Sequence, residues 1–218
     1  MKISASKIRQ IVRDELLAEA LLLEAAKGID DFKHGESIVI EREGDGYLIE
    51  LRSSDDVHLG HIHIAEHDDD LGNCFGAWMI ESSKVSDEAS GFGPLLYDIA
   101  IELAGEAGLM ADRWQVSADA LAVWEFYLKR RQSEFEFRQL DMAADTLTTH
   151  RGRGITPDEQ LTPSDPSDDC DSDAAMNWSI QKGVRWDTLP LNYVARRRGG
   201  GTPTLDRLKQ LNLIRFES

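Results

Sequence analysis

The stretch Val85-Ser86-Asp87-Glu88-Ala89-Ser90-Gly91-Phe92-Gly93-Pro94-Leu95-Leu96-Tyr97 has the makings of an anion cradle. An apolar run leads into it, glycines fall at 91 and 93, and Pro94 suits the first turn of a helix. Backbone N–H groups at such a helix start point the same way as the helix dipole. They attract a phosphate, and glycines let it approach closely. The expected cradle residues are Val85, Glu88, Ala89, Ser90, Gly91, Phe92, Gly93 and Leu95. The pattern is no dinucleotide fingerprint, because Leu96 stands at the third glycine position, and no P-loop, because no Gly-Lys-Ser/Thr follows. A Gly-x-Gly on its own also fits a plain turn.

Proton-transfer groups lie on both sides of this loop. Glu81 sits in the polar half of the preceding strand, and a carboxylate there can take a proton from an amine. His61 and His63 fall on one strand face by period two and are the next candidates. Tyr127 is the candidate proton donor. Each of these also fits a structural role: a solvated strand end, a polar sheet face, a core tyrosine. His58, His61, His63 and His67 precede Asp68-Asp69-Asp70, but beyond the His-x-His pair there is no ligand spacing, so no metal site is expected. Cys74 and Cys170 alone build neither a disulfide framework nor a thiolate zinc site.

The elements that must position these groups alternate. Ser37–Arg42 and Tyr47–Arg52 flank Glu43-Gly44-Asp45-Gly46 as a hairpin. Val57–Glu66 and Cys74–Val85 read as further strands, Pro94 to about Ala107 as a helix stopped by Gly108, and Asp112–Val116 as a short strand. Ser117 caps a helix running to Arg130, and Phe135–Leu140 alternates as a final strand. The order predicts an α/β domain with a mixed sheet over residues 28–150. Residues 1–27 read as an amphipathic helix, 151–173 as an acidic linker, and 174–218 as a C-terminal extension with a helix after Thr202-Pro203-Thr204. That extension is too small to stand alone and is expected to pack on the body or on a partner.

The chain has 218 residues and a formal net charge of −16. Residues 28–150 carry 26 acidic against nine basic side chains, which excludes general nucleic-acid binding by the body. Residues 179–218 carry eight basic against three acidic, including Arg196-Arg197-Arg198, and the nearest acidic surface is the body itself. The longest apolar run, Cys74 to Ile80, has seven residues, so no membrane span is expected. Cysteine usage suits a reducing cytoplasm.

Taken in order, Glu88-Ala89-Ser90-Gly91-Phe92-Gly93, then Asp112-Arg113, then Ser117-x-x-Ala120-x-x-x-Trp124 resemble the GNAT N-acetyltransferase superfamily. The resemblance covers roughly residues 35–140. It is nearest to GNAT-like proteins of tailed bacteriophages, through Gly93-Pro94-Leu95-Leu96-Tyr97-Asp98 and Asp169-Cys170. It implies a GNAT-like, mainly antiparallel sheet flanked by helices, and acetyl-CoA as co-substrate. The implied reaction moves an acyl group from the thioester to an amine of a protein or small molecule. The alternative is a GNAT fold without catalysis, acting in a virion. In that case residues 1–27 and 174–218 would grip phage structural proteins. Leu22-Leu23-Glu24 is similar to the cleavage triplet of phage capsid-targeting segments, which implies a mature start at Ala25. The implied location is the host cytoplasm or the virion. Three positions depart from the family pattern. Glu88 stands for Gln or Arg, Pro94 removes an amide, and Trp124 stands for the Tyr that protonates the leaving thiolate.

Overall fold

The computed structural model describes residues 26–66, 77–112, 116–141, 146–149 and 193–217. The expected N-terminal helix, its cleavage triplet and the acidic linker lie outside them. Four antiparallel strands open the described chain: β1 (Ser37–Glu43), β2 (Gly46–Arg52), β3 (His58–Glu66) and β4 (Trp78–Val85). The β1–β2 turn has Gly44 at φ +59°, a conformation that favours glycine at the first central position of a two-residue hairpin. Gly46, which closes that hairpin against Glu43, faces β3 at close range. A Cβ there would lie 2.4 Å from the Ile64 carbonyl oxygen. Gly46→Ala is therefore expected to cost about 1–3 kcal/mol, read as a lowered midpoint in denaturant, because backbone must shift to admit the methyl.

Helix α1 (Gly93–Ala104) follows, then β5 (Leu109–Met110), helix α2 (Ala118–Arg130), and the hairpin β6 (Phe135–Asp141) and β7 (Thr146–Thr149). The short strand expected at Asp112–Val116 is instead Leu109–Met110. Leu109, Met110 and Ala111 are all buried, as befits a strand deep inside a sheet, where a continuous apolar run outranks alternation. Gly105 at φ +59° ends α1, and Ser117 caps α2 by accepting the Ala120 N–H at 3.1 Å.

The C-terminal residues are part of the sheet. Strand β8 (Val194–Arg197) inserts between β5 and β6, helix α3 (Pro203–Gln210) packs on α1, and β9 (Ile214–Glu217) runs parallel to β1 at the opposite edge. The nine strands thus lie in the order β7-β6-β8-β5-β4-β3-β2-β1-β9, mixed and mainly antiparallel. The extension expected to be helical has one helix and two strands among its described residues, and from Tyr193 it packs on the body. Arg196 pairs with Glu136 at 2.6 Å and Glu106 at 3.2 Å, so the basic run does meet the acidic body.

One sheet face carries Ile38, Ile40, Ile49, Leu51, Ile62, Ile64 and Ile80, all buried and clustered with residues of α1. Buried residues appear on every side of α1, so it is the central core helix. The buried carboxylate of its Glu102 accepts the Thr204 and Leu205 N–H groups at 3.0 and 2.9 Å. It thereby caps α3, whose own Thr202 side chain does not. No helix among the described residues is long and apolar enough to cross a membrane.

Candidate functional site

Strands β4 and β5 run parallel but pair only at Trp78↔Leu109 and Met79↔Met110. Beyond Met79 no pairing joins them among the described residues. A cavity of about 210 Å³ there is lined by Ile80, Glu81, Ser82, Ser83, Tyr97, Ala111, Asp112, Val116, Ser117, Ala120 and Trp124. A wider cleft of about 500 Å³ adjoins it through the shared residues Ser83, Tyr97, Ser117 and Ala120, and reaches Lys84, Ser86, Asp87, Ser90, Gly91 and Gly93. Together they form one groove, broad at the glycine loop and narrow where the strands separate.

The broad end is built from two helix starts. Helix α1 begins at Gly93 with no side-chain cap and no acidic residue in its first turn. Within the loop, the amides of Ala89, Ser90 and Phe92 close short turns onto Ser86, Asp87 and Ala89. Those of Gly91, Gly93 and Leu95 donate to no backbone acceptor among the described residues. Gly91 holds φ +97°, and a Cβ on Gly93 would meet nothing within 4 Å. Helix α2 presents Ser117, Asp119 and Ala120 to the same space. Two positive helix ends and Lys84 therefore converge on it, opposed by Asp87 and Asp119. Ser86 contributes a buried hydroxyl that has no hydrogen-bond partner among the described residues.

Of the expected cradle residues, Val85, Ser90, Gly91 and Gly93 line the groove. Ala89, Phe92 and Leu95 are buried beneath it; Phe92 packs edge-on against Phe32 at 5.4 Å. Glu88 is exposed and lines neither part, so the nearest acidic neighbour of the cradle is Asp87. The backbone of Lys27 docks on the loop, its N–H donating to the Gly91 carbonyl at 2.9 Å, and Ala26 lines the groove.

At the narrow end Glu81 lies in a β-bulge. His63 pairs with Ser82 and Ile64 with Ile80, which leaves Glu81 as the extra residue of β4. Its Oε2 lies 2.8 Å from His63 Nδ1. His61 lines the broad end, and burial and the neighbouring His58 lower its pKa. Tyr127 is placed elsewhere. It is fully buried and lines neither part, and its hydroxyl donates to the Pro94 carbonyl at 2.8 Å and to Asp98. Burial, reinforced by Asp98, pushes the Tyr127 hydroxyl well above its ordinary pKa. Arg131 completes this core network, bonding Asp98 at 2.6 Å.

The residue that sequence reasoning missed is Tyr97. It lines both parts of the groove, stacks edge-on against Trp124 at 5.6 Å and hydrogen-bonds Ser83. Burial raises its pKa, so its hydroxyl stays protonated. The signal was its place one turn after Gly93, on the same face of α1. Comparison with family models, with curated proteins and with solved structures finds no significant match for this chain.

Proposed function

We propose that this protein binds an acyl-CoA thioester, acetyl-CoA foremost, and transfers the acyl group to an amine, with the GNAT-like topology that its motifs resemble. The observation that supports this best is the groove itself. An anion cradle at the start of α1 leads straight into the gap between two parallel strands that have stopped pairing. The pyrophosphate would sit on the free amides of Gly91, Gly93 and Leu95, assisted by Lys84. The pantetheine arm, which carries amides, would lie along the unpaired edge of β4 beyond Met79. The thioester would then meet Glu81, which takes the proton of the attacking ammonium. Trp124 cannot donate a proton to the leaving thiolate as a phenol does. In this protein Tyr97 is the groove hydroxyl placed for that task.

A second reading, an interaction protein of the same fold that takes no acyl-CoA, is favoured by Asp87 and Asp119, whose charges oppose a pyrophosphate at the broad end. One pair of measurements separates the two. Acetyl-CoA at 100 times its dissociation constant is expected to stabilise the protein by about 2.7 kcal/mol in a thermal melt. That corresponds to roughly 5–10 °C for a chain of this size. Thiol release in the presence of an amine then reports transfer. A melt unchanged at millimolar acetyl-CoA and CoA rejects the first reading and leaves the second, and a shift without thiol release keeps the binding and removes the transfer.

A further inference from the structure

We propose that His63 is the positioning residue for Glu81, holding its carboxylate aimed along the groove; this rests on the acyl-transfer reading above. His63 comes from β3 and Glu81 from the bulge of β4. The bulge is what lets the two meet, since His63 sits directly opposite Ser82, not Glu81. The Nδ1–Oε2 separation of 2.8 Å is hydrogen-bond distance. An ionised carboxylate only accepts, so the proton of this bond is on Nδ1. One Glu81 oxygen is thereby fixed. The other makes no hydrogen bond among the described residues and is the one free to act in the groove, which Glu81 lines.

The far side of the ring is equally specific. His63 Nε2 is buried without a hydrogen-bond partner among the described residues, and Glu43 Oε2 lies 3.7 Å away, too long for a hydrogen bond but within ion-pair range. The imidazole therefore bridges two carboxylates, one from the end of β1 and one from β4. Neutral, it holds Glu81 through Nδ1–H. Protonated, it also faces Glu43 through Nε2–H. The titratable groups that face it are Glu43 on β1, His61 on its own strand and Glu81 on β4, while Glu50 on β2 and Lys84 on β4 lie opposite His61. Gly46 leaves room for the ring, its Cβ position lying 3.2 Å from Nε2.

In the step this arrangement serves, an acceptor ammonium gives one proton to the free oxygen of Glu81. The ammonium becomes a neutral amine and the carboxylate a carboxylic acid. His63 changes no bond in that step; it fixes which oxygen reacts.

The test uses the full chain with isotope-labelled histidine rings, followed by NMR across pH 5–9. In the wild type the neutral His63 ring is expected to carry its proton on Nδ1. Glu81→Ala, at an exposed position, removes the acceptor and is expected to shift that proton toward Nε2, with the His61 tautomer unmoved. A His63 tautomer population identical in wild type and E81A overturns the inference, whether or not the protein has activity. Kinetics supply the second arm, with acetyl-CoA and polylysine as the probe pair. His63→Leu is expected to lower kcat about 10–100-fold with KM for acetyl-CoA unchanged. His63→Asn, which keeps an N–H donor at the Nδ1 position, is expected to retain turnover within about threefold. Equal losses in both variants would make the histidine merely structural and overturn the proposal. Failure of the wild type to bind acetyl-CoA instead removes the acyl-transfer reading and leaves the coupling to be judged by NMR.

Discussion

Removal of residues 193–218 is expected to abolish the cooperative unfolding transition altogether. Strand β8 lies between β5 and β6, so its loss separates the β6–β7 hairpin from the rest of the sheet and leaves two-residue β5 with a single neighbour. Tyr193, Val194, Ala195, Leu205 and Leu208 are all buried, and each removes about 1.5–3 kcal/mol of apolar burial if it is large. Glu102 would lose both N–H donors from α3 and remain a buried charge with its caps gone. These losses exceed the few kcal/mol by which a domain is stable. Circular dichroism and a urea titration of the truncated chain check this. A soluble monomer with an unchanged midpoint would show the tail to be an appendage.

The second large effect is expected at Asp98. Its carboxylate accepts from the Tyr127 hydroxyl and from Arg131 inside the packing of α1 against α2, and Arg131 also pairs with Glu134 at 2.7 Å. Burial pushes the Asp98 carboxyl up, against the pull of Arg131. Asp98→Ala leaves the guanidinium short of its buried partner and the Tyr127 hydroxyl with the Pro94 carbonyl as acceptor and Arg131 as donor. The expected cost is about 3–5 kcal/mol. Tyr127→Phe, which removes a donor and strands no charge, is expected to cost about 1–3 kcal/mol. Equilibrium denaturation of both variants checks the ranking. Equal costs would mean that the charge contributes nothing beyond the hydroxyl's bonds.

The sequence disclosed what depends on local pattern. The hairpin turn at Gly44, the helix opened by Pro94 and the Ser117 cap are each carried by a residue type that few other conformations favour, and all appear where expected. Long-range pairing was not disclosed. Val-Ala-Arg-Arg carries no alternation that marks it as the strand joining β5 to β6, and β9 is four residues of mixed polarity. For the site, the loop was visible because glycine and proline announce backbone geometry. Which amides stay free was not, because that is decided by turns closed onto Ser86, Asp87 and Ala89. Tyr127 followed helical spacing into the core, while Tyr97, equally aromatic and only four residues past Gly93, came to face the groove.

The bulge at Glu81 makes β4 a strand read in two phases. Ile80 and Ser83 both lie opposite residues of the isoleucine face of β3, although they are an odd number of positions apart. Deletion of Glu81 would leave Ser82 opposite His63 and Ser83 opposite Ile62, as they already stand, so the strand after it would keep its phase and only the bulge would go. What such a deletion removes is the carboxylate that meets His63 across the two strands. A substitution at Glu81 does the opposite, keeping the extra residue and changing only what it presents. Length at this one residue sets the shape of β4, and side-chain identity sets what faces His63.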